Sequence, residues 1–312
     1  MTTYSPFADP AARSLDVAKF RDPLLTAKGE KRASVAMRRL DTLWINTGTL
    51  CNLACASCYI ESSPTNDALV YLSLAEAEVF FDEAQALGTR EIGFTGGEPF
   101  MNRDAPAMIA SALERGFEVL VLTNAMRPMR RFEAQLGPLA AGKLTMRVSL
   151  DHHTQAVHEG ERGPGTWAKA LDGLKWLSEF GFRIAVAGRS LAGESEAEAR
   201  AGYARLFTAE GLRVDAGLVL FPEMDAAADV PEISTACWGI LGVSPDAMMC
   251  ASSRMVVKRR GAPHPIVAAC TLLPYQDQFA LGATLAQASR RVMLNHPHCA
   301  RFCVLGGASC SG

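Results

Sequence analysis

The stretch GTLCNLACASCYIESSP at residues 48–64 decides how this chain is read, because it sets Cys51, Cys55 and Cys58 in a C-x3-C-x2-C arrangement on one short loop. Thiolates so placed can bind three corners of a cubane iron–sulfur cluster and leave one iron open to another ligand. Two plainer readings compete: a structural zinc site, which wants a fourth cysteine or histidine close by, and buried thiols acting as small apolar side chains. No fourth cysteine or histidine lies near the loop. The apolar run LWINT at 43–47 precedes it and reads as a strand, so the cysteines sit just past a strand's carboxyl end.

Outward from that loop, short apolar runs alternate with longer helical patterns, the signature of repeated β-α units around a parallel sheet. The further strands expected are EIGFT at 91–95, EVLVLT at 118–123, LTMRVSL at 144–150, FRIAVA at 182–187 and VDAGLVL at 214–220. Ser73 followed by Glu76 is a capping-box pattern that opens a helix, and further helices fit about 104–115, 128–140, 166–180 and 195–210. Periodicity alone leaves a full barrel, an open doubly wound sheet and a partial barrel all possible. In each, chemistry belongs at the carboxyl ends of the strands.

The distinctive residues do follow the strands. After 91–95 comes GFTGGEPF, in which Gly96 and Gly97 let the backbone approach a ligand, Glu98 offers an acceptor and Pro99 stiffens the exit. Thr123-Asn124 and Ser149-Leu150-Asp151 put short polar side chains where apolar runs end, and Arg189 follows the next run. Taken singly these are turn formers, helix caps and a surface arginine. His152, His153 and His158 read as loop or capping residues.

Together these landmarks resemble the radical S-adenosylmethionine (radical SAM) superfamily over roughly residues 43–220. The resemblance implies an α/β fold, a partial (β/α)6 TIM-type barrel with a small cysteine-rich C-terminal extension. It implies a 4Fe-4S cluster on Cys51, Cys55 and Cys58, with S-adenosylmethionine bound at its open iron and cleaved to a 5′-deoxyadenosyl radical that takes hydrogen from a substrate. Gly96, Gly97, Glu98 and Pro99 then bind the cofactor's amino group, while Asn124, Ser149 and Asp151 contact its ribose and methionine portions. VSLDHHTQAVHEGERGPGTWAKALDGL also matches the family's strand-loop-helix after the fourth strand, with His158, Arg162 and Gly163 in familiar places. Arg189 is placed to neutralise the cofactor carboxylate. Ser57 stands where many members carry an aromatic residue, which leaves the adenine contact to Tyr59.

Of the nine cysteines, six fall within residues 237–310. Cys250-x10-Gly261-x8-Cys270, then Cys299-x3-Cys303-x6-Cys310, resembles the SPASM and twitch extensions that hold an auxiliary iron–sulfur cluster, although the spacing departs from theirs. The expected ligands are Cys250, Cys270, Cys299 and Cys303, with Cys310 a fifth candidate. Zinc would suit the same thiolates, with His264, His296 or His298 replacing one. Cys237, beside Trp238, reads as packing. The expected organisation is a lead-in segment at 1–40, a core domain at 41–221 and the cysteine-rich region at 222–312.

Composition bounds the rest. The chain has 312 residues, 49% hydrophobic and 21% charged, with a formal net charge of −2, which gives no bulk attraction to nucleic acid or an anionic membrane. The run Lys258-Arg259-Arg260 reads as a solvated loop. No signal-peptide pattern or membrane-length apolar stretch is present, which points to the cytoplasm, where abundant cysteine signals metal binding or catalysis rather than disulfides. The partners expected are a small-molecule or peptide substrate and a flavodoxin- or ferredoxin-type electron donor. A short N-terminal lead-in tilts toward a small molecule, or a peptide captured with help from a separate partner. A non-catalytic zinc protein and an RNA-modifying enzyme are the rivals. The second wants a broad basic surface that the sequence lacks.

Overall fold

The apolar runs assemble into a parallel sheet in a computed structural model of the chain, in which residues 16–190, 193–222 and 229–307 are described. In chain order the strands are β1 (Ser34–Val35), β2 (Thr42–Asn46), β3 (Glu91–Thr95), β4 (Glu118–Thr123), β5 (Leu144–Ser149), β6 (Arg183–Ser190), β7 (Leu218–Pro222), β8 (Ser253–Val257), β9 (Ile266–Ala268), β10 (Ala280–Gly282) and β11 (Val292–Met293). The helices are α1 (Leu74–Ala86), α2 (Ala105–Glu114), α3 (Arg127–Arg130), α4 (Glu133–Leu136), α5 (Gln155–Arg162), α6 (Thr166–Glu179), α7 (Glu196–Glu210) and α8 (Cys237–Leu241).

Strands β2 to β7 lie side by side in sequence order and all parallel, the arrangement of a partial (β/α)6 barrel. Every residue of β2 is buried, as a strand covered on both faces should be. Trp44 fills the space over Gly93 on β3, where any Cβ would stand 2.4 Å from the indole. Helix α1 begins with the expected capping box: Ser73 accepts from the Glu76 N–H at 3.3 Å, and Glu76 accepts from the Ser73 N–H at 3.0 Å.

The sheet crosses the division expected at residue 221. Strand β8 pairs in parallel with β2, with Thr42 opposite Ser253, and carries the antiparallel strands β9 and β10 beyond it. The lead-in packs onto the same region, with β1 antiparallel to β11 and a buried Arg32–Glu232 ion pair at 2.5 Å. Three local expectations change. The helix expected at 128–140 is broken first at Arg131-Phe132, where Phe132 leaves the helical region (φ −110°, ψ 21°), and again at the 3-10 turn Gly137–Leu139, where Pro138 cannot sustain the α ladder. The last core strand begins at Leu218 rather than 214, because Gly217 takes φ +95° and Asp215 turns back to accept from the Ile184 N–H. Strand β6 runs on to Ser190, so Arg189 lies within it rather than past it. The basic run is ion-paired throughout, Lys258 to Glu76, Arg259 to Asp277 and Arg260 to Asp67. Among the described residues, no helix is long and apolar enough to cross a membrane.

Candidate functional site

The cysteine loop leaves β2 through a set of side-chain clamps. Asn46 accepts from the Gly48 N–H, the Thr49 hydroxyl bridges both backbone groups of Leu69, and Cys51 N–H donates to Ser63 carbonyl at 3.1 Å, closing the loop. Two sulfurs accept backbone N–H groups, Cys51 from Leu53 at 3.4 Å and Cys58 from Ser62 at 3.3 Å. The glycine turn after β3 lies directly against this segment. Gly97 N–H donates to Gly48 carbonyl at 2.8 Å, and a Cβ on Gly97 would stand 2.3 Å from the Leu50 carbonyl oxygen. The two glycines therefore permit contact between the two loops, in addition to opening onto the cavity.

One cavity collects the strand ends. Cys51, Cys55, Cys58 and Tyr59 line it together with Gly96, Gly97, Asn124, Ser149, Asp151 and Arg189. Glu98 and Pro99 are not part of its lining. Glu98 is 1% exposed, and its carboxylate accepts from the Thr123 hydroxyl at 2.8 Å, the Asn124 N–H at 2.8 Å and the Phe100 N–H at 3.2 Å. Burial pushes it up to about 7 against those three donors. Pro99 is buried at the start of a 3-10 turn.

Charge in the cavity is balanced around Asp151. Its carboxylate takes a two-pronged contact from Arg162, at 2.7 and 3.0 Å, and stands 3.5 Å from Arg189. Burial opposes ionisation of Asp151, but Arg162 and then Arg189 hold it below the usual carboxylate range. Arg189 also reaches the cysteine loop, donating to the Tyr59 hydroxyl at 3.2 Å and the Ser57 carbonyl at 3.1 Å while lying over the Tyr59 ring. Burial pushes the Cys51 thiol up to about 12 and raises Cys55, for which Arg162 is the main opposing charge. Any metal group bound here must displace those protons.

The sequence pattern that describes the Radical SAM superfamily matches residues 45–200, half of the chain. The chain belongs to the radical SAM superfamily. It is 34% identical over 142 residues to the antilisterial bacteriocin subtilosin biosynthesis protein AlbA of Bacillus subtilis, covering 44% of this chain and 30% of that protein. With the Fe-coproporphyrin III synthase of Methanosarcina barkeri it shares 30% identity over 134 residues, 43% of this chain and 33% of the other. The chain thus spans about a third of the length of the curated relatives it matches. Streptococcus suis SuiB, solved bound to S-adenosylmethionine, superimposes with a TM-score of 0.59 over 78% of this chain and 63% of that one, a likeness of fold at 13% identity.

For a radical SAM chain, the donor set must suit a cluster rather than one ion. A single zinc holds sulfurs at about 2.3 Å, which brings them within about 4 Å of each other. Among the described residues, the trio whose ligand atoms all lie within 4.8 Å of one another is His152, His153 and Glu194, and no trio of cysteines closes to that spacing. The Cys51, Cys55 and Cys58 thiols stand wider than one ion needs, on a cavity wall with no fourth cysteine and no histidine. That set fits a larger group with one open corner. The histidine trio has a local explanation. The Thr154 N–H donates to Nδ1 of His152, so Nε2 carries the proton and donates to Glu194 at 3.2 Å, clamping the loops after β5 and β6 together. His158 is buried in α5 against Trp167, and burial lowers it to about 4, so it stays neutral.

The C-terminal cysteines divide. Cys250, Cys270 and Cys299 are buried, and burial raises the Cys299 thiol well above its ordinary value, with Cys270 and Cys250 close enough to add to the rise. Burial raises Cys250 to about 11. Beside them lies Arg254, fully buried, its guanidinium bonded to the carbonyls of Cys250, Ser253, Ala288 and Arg290 and to no carboxylate among the described residues. Burial lowers Arg254, and the Cys250 and Cys270 sulfurs, which would oppose that as thiolates, lie beside it. Cys303 follows on the π-helical turn Cys299–Leu305, half-buried. Cys310 lies outside the described residues. Cys237 packs on the core with its sulfur 3.6 Å from the Ser234 hydroxyl.

Among the contributors to the cavity not singled out as site residues from sequence are Arg162, Thr271 and Leu272. Arg162 stood in a recognisable segment but is a lone cation in a polar turn, and nothing local pairs it with Asp151. Thr271 and Leu272 line the cavity from the C-terminal region, directly after Cys270, and only the folded chain brings them there.

Proposed function

We propose that this chain is a radical SAM enzyme whose Cys51, Cys55 and Cys58 hold a 4Fe-4S cluster and whose remaining cavity residues seat S-adenosylmethionine. The observation that carries the reading is the convergence of the three thiols, the Gly96-Gly97 turn and the ends of β4, β5 and β6 on one cavity. When bound, the cluster supplies the electron that cleaves the sulfonium and yields a 5′-deoxyadenosyl radical. The chain's own residues hold and orient. Asp151 is held by both prongs of Arg162 and also stands 3.5 Å from Arg189, so two guanidiniums face one carboxylate and Arg189 supplies positive charge for the cofactor carboxylate. Gly96 and Gly97 form the seat for the amino group, with Glu98 and Pro99 buried behind them to fix the turn, Ser149, Asp151 and Asn124 contact the ribose and methionine portions, and Tyr59 contacts the adenine.

We assign residues 41–221 to this chemistry and residues 222–312 to a SPASM- or twitch-like region with a second iron–sulfur site on Cys250, Cys270 and Cys299, with Cys303 or Cys310 completing it. Support comes from Arg254, a buried guanidinium bonded to no carboxylate among the described residues, beside which Cys250 and Cys270 would be favoured as thiolate ligands. The substrate is a peptide or small organic molecule, the former favoured by a relative named for bacteriocin biosynthesis. The electron comes from a flavodoxin or ferredoxin, in the cytoplasm.

The test is iron, sulfide and absorption measured on anaerobically prepared protein, with reductive formation of 5′-deoxyadenosine. Wild type should hold about eight irons, and a Cys51/Cys55/Cys58→Ala variant about four, without 5′-deoxyadenosine. A colourless zinc-loaded wild type after anaerobic reconstitution would overturn the reading.

A further inference from the structure

A groove of about 780 Å3 lies against the cysteine loop. The residue that lines both it and the cofactor cavity is Leu53, between Cys51 and Cys55, with Asn52 beside it in the groove wall. Helices α3 and α6 form the other walls, and Met101, Met126 and Pro128 supply apolar surface. Four cationic side chains face one carboxylate: Arg127, Arg130, Arg131 and Lys169 against Asp172. Arg130 is neutralised by Glu133 and by Asp172 at 2.9 Å. Arg127, Arg131 and Lys169 are exposed and form no ion pair among the described residues. In a chain of net charge −2, that is a local surplus of positive charge on one wall.

We propose that this groove docks an acidic electron-donor protein of the flavodoxin or ferredoxin class, with Arg127, Arg131 and Lys169 supplying the attraction. The inference rests on the function proposed above, which requires one electron from outside. The groove and the cofactor cavity meet at one shared lining residue, Leu53. An electron needs no passage for atoms, only a short distance, and the groove brings a partner to within the thickness of the cysteine loop. In the step so served, one electron leaves the donor's flavin or iron–sulfur centre, oxidising it by one. It arrives at the iron–sulfur group held by Cys51, Cys55 and Cys58, reducing it by one, and no bond is made or broken. Redox encounters use small interfaces and depend on charge for speed, and methionine surfaces adapt to a partner without a fixed fit.

The experiment compares anaerobically reconstituted wild type with an Arg127→Glu/Arg131→Glu/Lys169→Glu variant. Three quantities are read: the Kd for a purified flavodoxin and a purified ferredoxin at low and high salt, 5′-deoxyadenosine formation driven by each reduced donor, and the same reaction driven by dithionite. Wild type should bind at least one donor, more weakly as salt rises. The variant should lose about tenfold or more in Kd and in donor-driven rate, while its dithionite-driven rate stays within about twofold. Equal Kd values for the two proteins, or no binding of either donor to wild type, would overturn the proposal. So would binding of an oligoglutamate peptide in place of the donors, which would make the groove a seat for acidic peptide. Failure of wild type to form 5′-deoxyadenosine with dithionite would count against the enzyme reading instead, and the Kd comparison would still decide the groove.

Discussion

Glu98 is held between opposing demands. Three donors favour its charged form, but complete burial outweighs them and raises it from the ordinary 4.5 to about 7. A folded value above the unfolded one means that folding favours the neutral acid. The resulting stabilisation is complete below about pH 4.5 and is lost as pH rises through 7, on the order of 3 kcal/mol. Asp151 behaves oppositely, since its folded value is held down by Arg162. Its contribution is in place at neutral pH and is lost only as pH falls below the ordinary carboxylate value of 3.8. In the cofactor-free protein, the Glu98 carboxyl carbon should therefore titrate near pH 7 by NMR, with Glu98→Gln providing the assignment. Urea unfolding across pH 5 to 8 should show wild type losing stability relative to that variant as pH rises. Parallel curves would mean that Glu98 is ionised throughout the range and that its three donors outweigh burial.

The turn after β3 and the loop after β2 act as one element, because backbone meets backbone where a side chain would have to fit. In Gly97→Ala the new Cβ faces the Leu50 carbonyl at 2.3 Å, and a carbonyl in a closed loop cannot swing aside as a side-chain tip can. The two loops should separate, costing about 1–3 kcal/mol and lowering the iron retained after anaerobic reconstitution. Gly163→Ala is the control, since its φ of +96° adds strain but nothing lies within 4 Å. Full iron content and an unchanged melting temperature in Gly97→Ala would remove the steric argument. What the sequence made legible here was local: the strands at 91–95 and 118–123, the Ser73–Glu76 cap, and a cysteine spacing that itself carries chemistry. The illegible parts are contacts between distant residues. Nothing near residue 253 announces that it lies opposite Thr42, and nothing near Arg162 announces Asp151. The helix after β4 breaks although its apolar spacing continues through Phe132 and Gly137-Pro138, where the backbone leaves the α-helix.

At the scale of the whole molecule, the region after residue 222 completes the sheet. Strand β2, buried at every position, is flanked by β3 on one side and β8 on the other. The cysteine loop and the segment that follows it are tied to the same region: Val70 N–H donates to the Lys258 carbonyl at 2.8 Å, Arg260 N–H to the Ala68 carbonyl at 2.9 Å, and the Tyr275 hydroxyl to the Ile60 carbonyl at 2.5 Å. Without β8, one edge of a buried apolar strand would face water with its hydrogen-bonding groups unpaired, the condition that invites edge-to-edge association. A chain ending at Pro222 should therefore be recovered largely as aggregate. Any soluble fraction should lack a cooperative thermal transition, as size-exclusion chromatography and circular dichroism would report. A monomeric 1–222 fragment that melts cooperatively and retains about four irons would show instead that the barrel stands alone and that the cysteine-rich region is a detachable addition. The division of labour between the two cysteine groups would then be one of separate domains. With β8 required for folding, the second group is built on the same sheet as the first, and loss of either would be felt at both.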